Sequence, residues 1–143
     1  MLIDPGFSNY RGEYNWHAYF RSTAAHNTLE IDEKSQAQQV GILNWCFAPK
    51  FKTLQTLQDE RVSGLCGEHY GYQRLPGKPV HRRHFAFVDH TFWISLDTVF
   101  AAQDWQSSEI KLVKHHYHFA PHVNVELLPE NRGWRARGKK ASL

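Results

Sequence analysis

Short segments in which apolar and polar residues alternate follow one another along most of the chain, separated by turn-forming residues. Residues 28–32 begin this pattern, and the segments 61–70, 80–88 and 91–97 continue it. Alternation with a period of two places apolar side chains on one face of a strand, and several such strands in succession are typical of antiparallel sheets. The sequence therefore predicts an all-β fold, an antiparallel β-sandwich with little helix.

Turn residues and the remaining segments complete this prediction. Asp89 and His90 separate two strand-like segments and predict a tight hairpin. Residues 110–120 and 122–128 add two further strands. The best helical pattern covers 33–40, and Gly41 would end it after two turns at most.

The chain has 143 residues, which corresponds to a single domain with enough material for a hydrophobic core. We expect one partial sandwich domain in three stretches. Residues 1–27 form an aromatic and polar loop that leads into the sandwich, residues 28–128 supply its strands, and residues 129–143 form a basic tail.

Charge narrows the list of partners only slightly. The net charge is +3 and the pI about 8.9, but much of the basic excess lies in the tail, which we expect to be frayed and solvated. No DNA- or RNA-binding motif is present, so no nucleic-acid partner is predicted. There is no apolar run long enough to span a membrane and no signal-peptide pattern at the start.

The two cysteines, Cys46 and Cys66, both lie among apolar neighbours. This setting favours two buried, reduced thiols, and a single disulfide bond is the alternative.

Aromatic and basic residues offer candidate contacts for a sugar chain. Residues 7–21 interleave Phe, Tyr and Trp with Asn, Arg and His, and sugar rings stack on such aromatic faces. A tyrosine there could also transfer a proton. Arg74 and Arg83 could hold a carboxylate, because a guanidinium group binds carboxylates through two hydrogen bonds. The alternatives are a loop packed against another domain and a solvated strand edge.

Two pairs of residues could bind a metal ion. Asp4 and His26 are suitable zinc ligands, but their separation in sequence forms no local metal motif. His116 and His118 would share one face of a strand. The alternatives for the first pair are a turn-forming Asp before Pro-Gly and a His satisfied at a sheet edge.

Taken together, three segments resemble the heparinase II/III family of polysaccharide lyases. They are LIDPG at residues 2–6, YFRSTAAHNTLEID at 19–32 and GEHYGYQRLPGKPVHRR at 67–83. The resemblance implies a β-sandwich that follows an N-terminal α/α toroid, with the active site between them. It also implies cleavage of uronic-acid-containing polysaccharide by β-elimination, and a parent protein that is periplasmic or secreted.

The resemblance further implies a zinc ion in the sandwich, held by two His and one Asp. Asp4 and His26 match two of these ligands, and Asn27 would orient the imidazole or its loop. The third ligand and the catalytic His belong to a His-x-His-x-Asp segment that would precede Asp4, so they are expected in a part of the protein outside this chain. The zinc site could therefore be empty in this chain.

The resemblance leaves the catalytic tyrosine open among Tyr10, Tyr14 and Tyr19, with Tyr19 and Tyr10 ranked first. The expected substrate-binding residues are Trp16, Arg21, Asn27, Arg74 and Arg83.

We expect acidic polysaccharide as the ligand and no activity without the toroid. The alternatives are a non-catalytic carbohydrate-binding module and a structural sandwich that forms a homodimer through unpaired strands.

Overall fold

The computed structural model describes residues 2–6, 14–41, 43–101 and 110–138. Ten antiparallel strands dominate it, as predicted from the alternation. The strands are β1 (Leu29–Ile31), β2 (Gln38–Val40), β3 (Asn44–Phe47), β4 (Phe51–Gln58), β5 (Val62–His69), β6 (Pro79–Val88), β7 (Phe92–Ala101), β8 (Val113–His115), β9 (Asn124–Leu127) and β10 (Trp134–Arg137). One α-helix, α1 (Tyr14–Phe20), and two 3-10 turns, Thr23–Ala25 and Pro129–Asn131, complete the described elements.

The largest sheet is a four-stranded meander in the order β4-β5-β6-β7. Its longest pairing joins β6 to β7 through the hairpin predicted at Asp89 and His90. Both residues have positive φ angles, 48° and 51°, and Thr91 N–H donates to Val88 O at 3.0 Å. The hairpin is confirmed, but its loop has three residues instead of the predicted two, since Val88 pairs with Phe92.

Three two-stranded sheets accompany the meander: β1 with β8, β2 with β3, and β9 with β10. The β1–β8 pair joins distant parts of the chain, since Leu29 lies opposite His115. Side chains from this pair contact one face of the meander, which gives the two layers of a sandwich.

The hydrophobic core lies between these two layers. Leu29, Ile31 and Tyr72 are fully or almost fully buried, and Val99 of β7 packs against them. The Tyr72 hydroxyl donates to Leu29 O at 2.8 Å, so its polar atom is satisfied inside the core. Burial raises the pKa of Tyr72 well above its ordinary value.

A close backbone approach requires glycine at position 71. A Cβ atom there would lie 2.5 Å from the carbonyl oxygen of Gln36, closer than nonbonded atoms tolerate. Gly71 therefore allows the turn after β5 to lie against the segment before β2.

Several boundaries differ from the sequence prediction. The helix expected at 33–40 is wrong, because β2 occupies its end, and a helix lies instead at Tyr14–Phe20, inside the expected loop. The expected strand at 110–120 is confined to Val113–His115, and the expected frayed tail contains β10, paired with β9.

Both cysteines are free thiols. Cys66 is buried as predicted, whereas the prediction of a buried Cys46 is wrong, because this thiol is exposed. Within the described ranges, none of the helices has the length and apolar character needed to cross a membrane.

Candidate functional site

Asp4 and His26 are in direct contact. The Asp4 Oδ2 and His26 Nδ1 atoms are 2.8 Å apart, although 21 residues separate the two in sequence. Gly6, at φ 64°, turns its N–H back to Asp4 Oδ1 at 2.9 Å, which fixes the carboxylate within the Asp-Pro-Gly turn. The hydrogen bonds from His26 and from the Gly6 backbone hold the pKa of Asp4 below its ordinary value.

The side chain of Asn27 connects the two segments that carry this pair. Its amide nitrogen donates to Ile3 O at 2.8 Å, and its Oδ1 accepts from the His118 N–H at 2.7 Å. Asn27 follows His26 and Ile3 precedes Asp4, so one amide group sets the spacing of the two segments. The Ile3 N–H also donates to His118 O at 2.9 Å. In these hydrogen bonds the Asn27 side chain contacts the backbone of Ile3 and of His118, and not the imidazole of His26.

The donors present fit two positions of a tetrahedral zinc site. A carboxylate oxygen and an imidazole nitrogen are donor types that zinc accepts, and both side chains are partly open to solvent. In the described part of the chain, no group of three or more His, Cys, Asp or Glu residues is placed to hold a metal ion. The neighbouring His118 directs its Nε2 to Ala24 O at 2.9 Å. A third ligand would have to come from elsewhere.

A second cluster surrounds the carboxylate of Asp97 on β7, which is 5% exposed. His81 Nε2 lies 2.5 Å from Asp97 Oδ1, and Arg83 binds both oxygens, at 2.7 Å from Nε and 2.9 Å from Nη2. His115 of β8 lies 2.9 Å from Oδ2. Burial alone would raise the pKa of Asp97, but the hydrogen bonds from His81 and Arg83 outweigh it and hold this pKa well below its ordinary value.

The Gly71 backbone determines which ring nitrogens of His69 and His81 carry a proton. The Gly71 N–H can only donate, so His69 Nδ1, at 3.2 Å, accepts. The proton of neutral His69 is therefore on Nε2, which donates to His81 Nδ1 at 2.8 Å, and His81 Nε2–H donates to Asp97. Burial, together with the neighbouring His81 and Arg83 side chains, lowers the pKa of His69 to about 4, which keeps this ring neutral near pH 7.

The candidate residues of the aromatic segment lie on or after α1. Trp16 is 58% exposed and stacks on Phe20 with ring centroids 6.0 Å apart, and Tyr19 is also exposed. Arg21 lies over the ring of Trp45 at 4.1 Å and donates to two backbone carbonyls. Tyr10 lies outside the described residues, as does the side chain of Tyr14. Their predicted roles stay predictions.

The two candidate arginines at the sheet both bind other parts of the protein. Arg74 donates to the carbonyls of Gly71 and Ser35, and Arg83 donates from Nη1 to Asn27 O at 2.7 Å in addition to its bonds to Asp97. The sequence pattern His-Arg-Arg-His indicated basic character but not this pairing. Asp97 was missed, although the β6–β7 register places it directly opposite Arg83.

Two open clefts border the Asp97 cluster. One, of about 570 Å³, is lined by residues that include Phe51, Lys52, His69, His81, Arg83 and Phe85. The other, of about 610 Å³, is lined by Leu2, His115, Tyr117, Phe119, Val125 and Trp134. The first cleft places aromatic rings beside the cationic groups of Lys52 and Arg83, whereas the second is mainly aromatic and apolar.

Comparison with known families matches nearly the whole chain to a family model. The model described as heparinase II/III-like, C-terminal, matches residues 1–142. No curated protein and no solved structure shows significant similarity to the chain.

Proposed function

The chain belongs to the heparinase II/III-like family, and on that premise we propose that it is the β-sandwich part of a lyase that cleaves uronic-acid-containing polysaccharide. The contact between Asp4 and His26 is the observation that carries this proposal. It brings together the two residues that match the zinc ligands of the family, from segments far apart in sequence.

In the proposed reaction a base removes the proton from C5 of the uronate, which is acidic because it is α to the carboxylate. The C4–O bond then breaks, a C4=C5 double bond forms, and an acid protonates the leaving oxygen. The base belongs to a histidine segment outside this chain, and Tyr19 and Tyr10 are our candidates for the acid. We assign Trp16, which is exposed next to Tyr19, a stacking contact with the sugar.

Asp4 and His26 would be the two zinc ligands from this chain. When bound, zinc would join the Asp-Pro-Gly turn, the turn before β1 and the third ligand into one rigid unit. Hydrogen bonds of Asn27 and of the Gly6 N–H already hold the Asp-Pro-Gly turn and the turn before β1 in contact. Two ligands hold zinc weakly, so we expect tight binding and activity only in the longer protein.

The proposal is tested by joining this chain to the toroid and the His-x-His-x-Asp segment of a heparinase II/III-like protein. We expect acidic glycans such as heparin or alginate to yield unsaturated uronate products, and this chain alone to yield none. His26→Ala should lose bound zinc and activity, whereas the exposed His122→Ala should keep both. Absence of product from the joined protein with all acidic glycans tried would contradict the proposal.

A non-catalytic carbohydrate-binding module is the second candidate, favoured by the exposure of Trp16 in this chain. Such a module should bind heparin or alginate oligosaccharides saturably by calorimetry. Trp16→Ala should abolish that binding, whereas Trp134→Ala, at another exposed tryptophan, should not. Binding without eliminase activity in the joined protein would favour the module over the lyase.

A further inference from the structure

Arg83 links the buried Asp97 cluster to the turn that carries His26. Its Nε and Nη2 atoms bind Asp97, and its Nη1 donates to Asn27 O at 2.7 Å. We propose that Arg83 and Asp97 are positioning residues for the Asp4–His26 pair, which they hold in place through Asn27. The importance of this role for a metal ion rests on the proposed function.

The first step is the rigidity of Arg83. A guanidinium group bound to both oxygens of one carboxylate has its plane and direction fixed, so its remaining N–H groups point in a set direction. Asp97 is itself fixed, because it is buried and accepts from His81 as well. Arg83 therefore presents Nη1 to Asn27 from a defined position.

The second step is transmission through Asn27. Its backbone carbonyl is held by Arg83, while its side chain binds Ile3 O and the His118 N–H. The peptide groups on either side of it lead directly to His26 and to β1. A displacement of Asn27 would therefore move His26 directly and Asp4 through Ile3.

The hydrogen bonds argue against a separate ligand or metal site at Asp97. Both nitrogens of His69 and both nitrogens of His81 have protein partners, and so do both oxygens of Asp97. These three side chains are satisfied by the protein itself, which gives rigidity and leaves none of their polar atoms for a ligand. This arrangement is expected of residues that hold a neighbouring segment, here Asn27, in position.

Hydrogen exchange at single amides tests the positioning role directly. The His118 amide reports on Asn27, because it donates to the Asn27 side chain. Arg83→Lys keeps the charge but cannot bind two carboxylate oxygens and Asn27 O together. The matched control is Arg82→Lys, since Arg82 pairs with Glu68 on the opposite face of the same strand.

We expect the protection of the His118 amide to fall about tenfold or more in Arg83→Lys, relative to amides paired between β5 and β6, and to stay unchanged in Arg82→Lys. The β5–β6 amides serve as the internal reference for global unfolding. An unchanged His118 amide in a folded Arg83→Lys protein would overturn the positioning role.

Zinc titration of the same variants in the joined protein, which supplies the third ligand, tests the consequence for the metal. The NMR signal of the His26 ring reports the binding. We expect roughly 10- to 100-fold weaker binding in Arg83→Lys and no change in Arg82→Lys. Equal zinc affinity in all of them would overturn the link to the metal. If none binds zinc but the His118 amide still loses protection, the positioning role stands and the metal proposal fails.

If Arg83→Lys does not fold, Asn27→Asp replaces it, because this change removes the donor to Ile3 O and leaves the Asp97 cluster intact. We expect reduced protection of the Ile3 amide and weaker zinc binding. Wild-type values for both in Asn27→Asp would overturn the proposal.

Discussion

Replacement of Asp97 by Asn is the sharpest perturbation of the sandwich. The substitution keeps the shape of the side chain but removes its charge, and it places an NH₂ group against N–H donors of His81 or Arg83. Arg83 then remains charged and only partly exposed, without its carboxylate partner.

The expected loss follows from burial. Breaking a buried ion pair from one side lowers the free energy of unfolding by about 3 to 5 kcal/mol, because the remaining charge stays desolvated. Since Arg83 is 29% exposed, water compensates part of the loss, and we expect about 3 kcal/mol. The control Asp89→Asn removes the partner of Arg61, which is 77% exposed, and should lower the free energy of unfolding far less, because solvent screens that pair.

Urea unfolding followed by circular dichroism measures both variants against the wild type. The pKa of Asp97 is lowered by folding, so its contribution is present above the unfolded value of about 3.9 and is lost as the pH falls below it. The difference between wild type and Asp97→Asn should therefore be constant near pH 7 and narrow below about pH 4. A loss under about 1 kcal/mol at pH 7 would refute this account of the cluster.

Two further predictions concern the neighbours of this cluster. The pKa of His69 is lowered to about 4 in the fold, so the unfolded chain binds more protons between about pH 6.5 and 4, and stability falls as the pH drops through that window. Below pH 4 the lost stability reaches roughly 3 kcal/mol. Urea unfolding of His69→Gln should therefore show a flatter pH dependence than the wild type, and identical curves for the two proteins would contradict this. Gly71→Ala should lower the free energy of unfolding by about 1 to 3 kcal/mol, because the added methyl group collides with the Gln36 backbone. The control Gly67→Ala, whose added methyl group has ordinary contact distances, should lose less stability. Equal losses for the two variants in thermal unfolding would show that the collision is relieved.

The sequence predicted those strands whose alternation is regular. The hairpin between β6 and β7 follows from alternating residues on both sides of Asp89 and His90. Strand β4 was missed because its apolar residues Phe51, Leu54 and Leu57 recur every third position. A register shift between Thr53 and Gln55 accommodates that spacing, and a bulge of this kind is invisible to a search for strict alternation.

The sequence predicted only part of the candidate site, because most of its contacts join residues far apart in the chain. Asp4 and His26 stood out through family resemblance, since their spacing in sequence has no local meaning. The partnership of Arg83 and Asp97 depends on a three-residue loop, because the predicted two-residue loop would have placed Leu96 opposite Arg83. The contact of Arg83 with Asn27 depends on how β1 packs against the meander, and no local pattern contains that information.

The pairing of β1 with β8 has a consequence for the order in which the protein folds. The β4–β7 meander joins neighbours in sequence and can form as soon as residue 101 has left the ribosome. Ile3 and Asn27, by contrast, both bind the backbone of His118, so they wait for a partner synthesised 115 residues after Ile3 and 91 residues after Asn27. The segments that carry Ile3 and Asn27 are translated before the meander, but they are thus among the last parts of the sandwich to reach their native place, and the Asp4–His26 pair is completed only on a sheet that already exists.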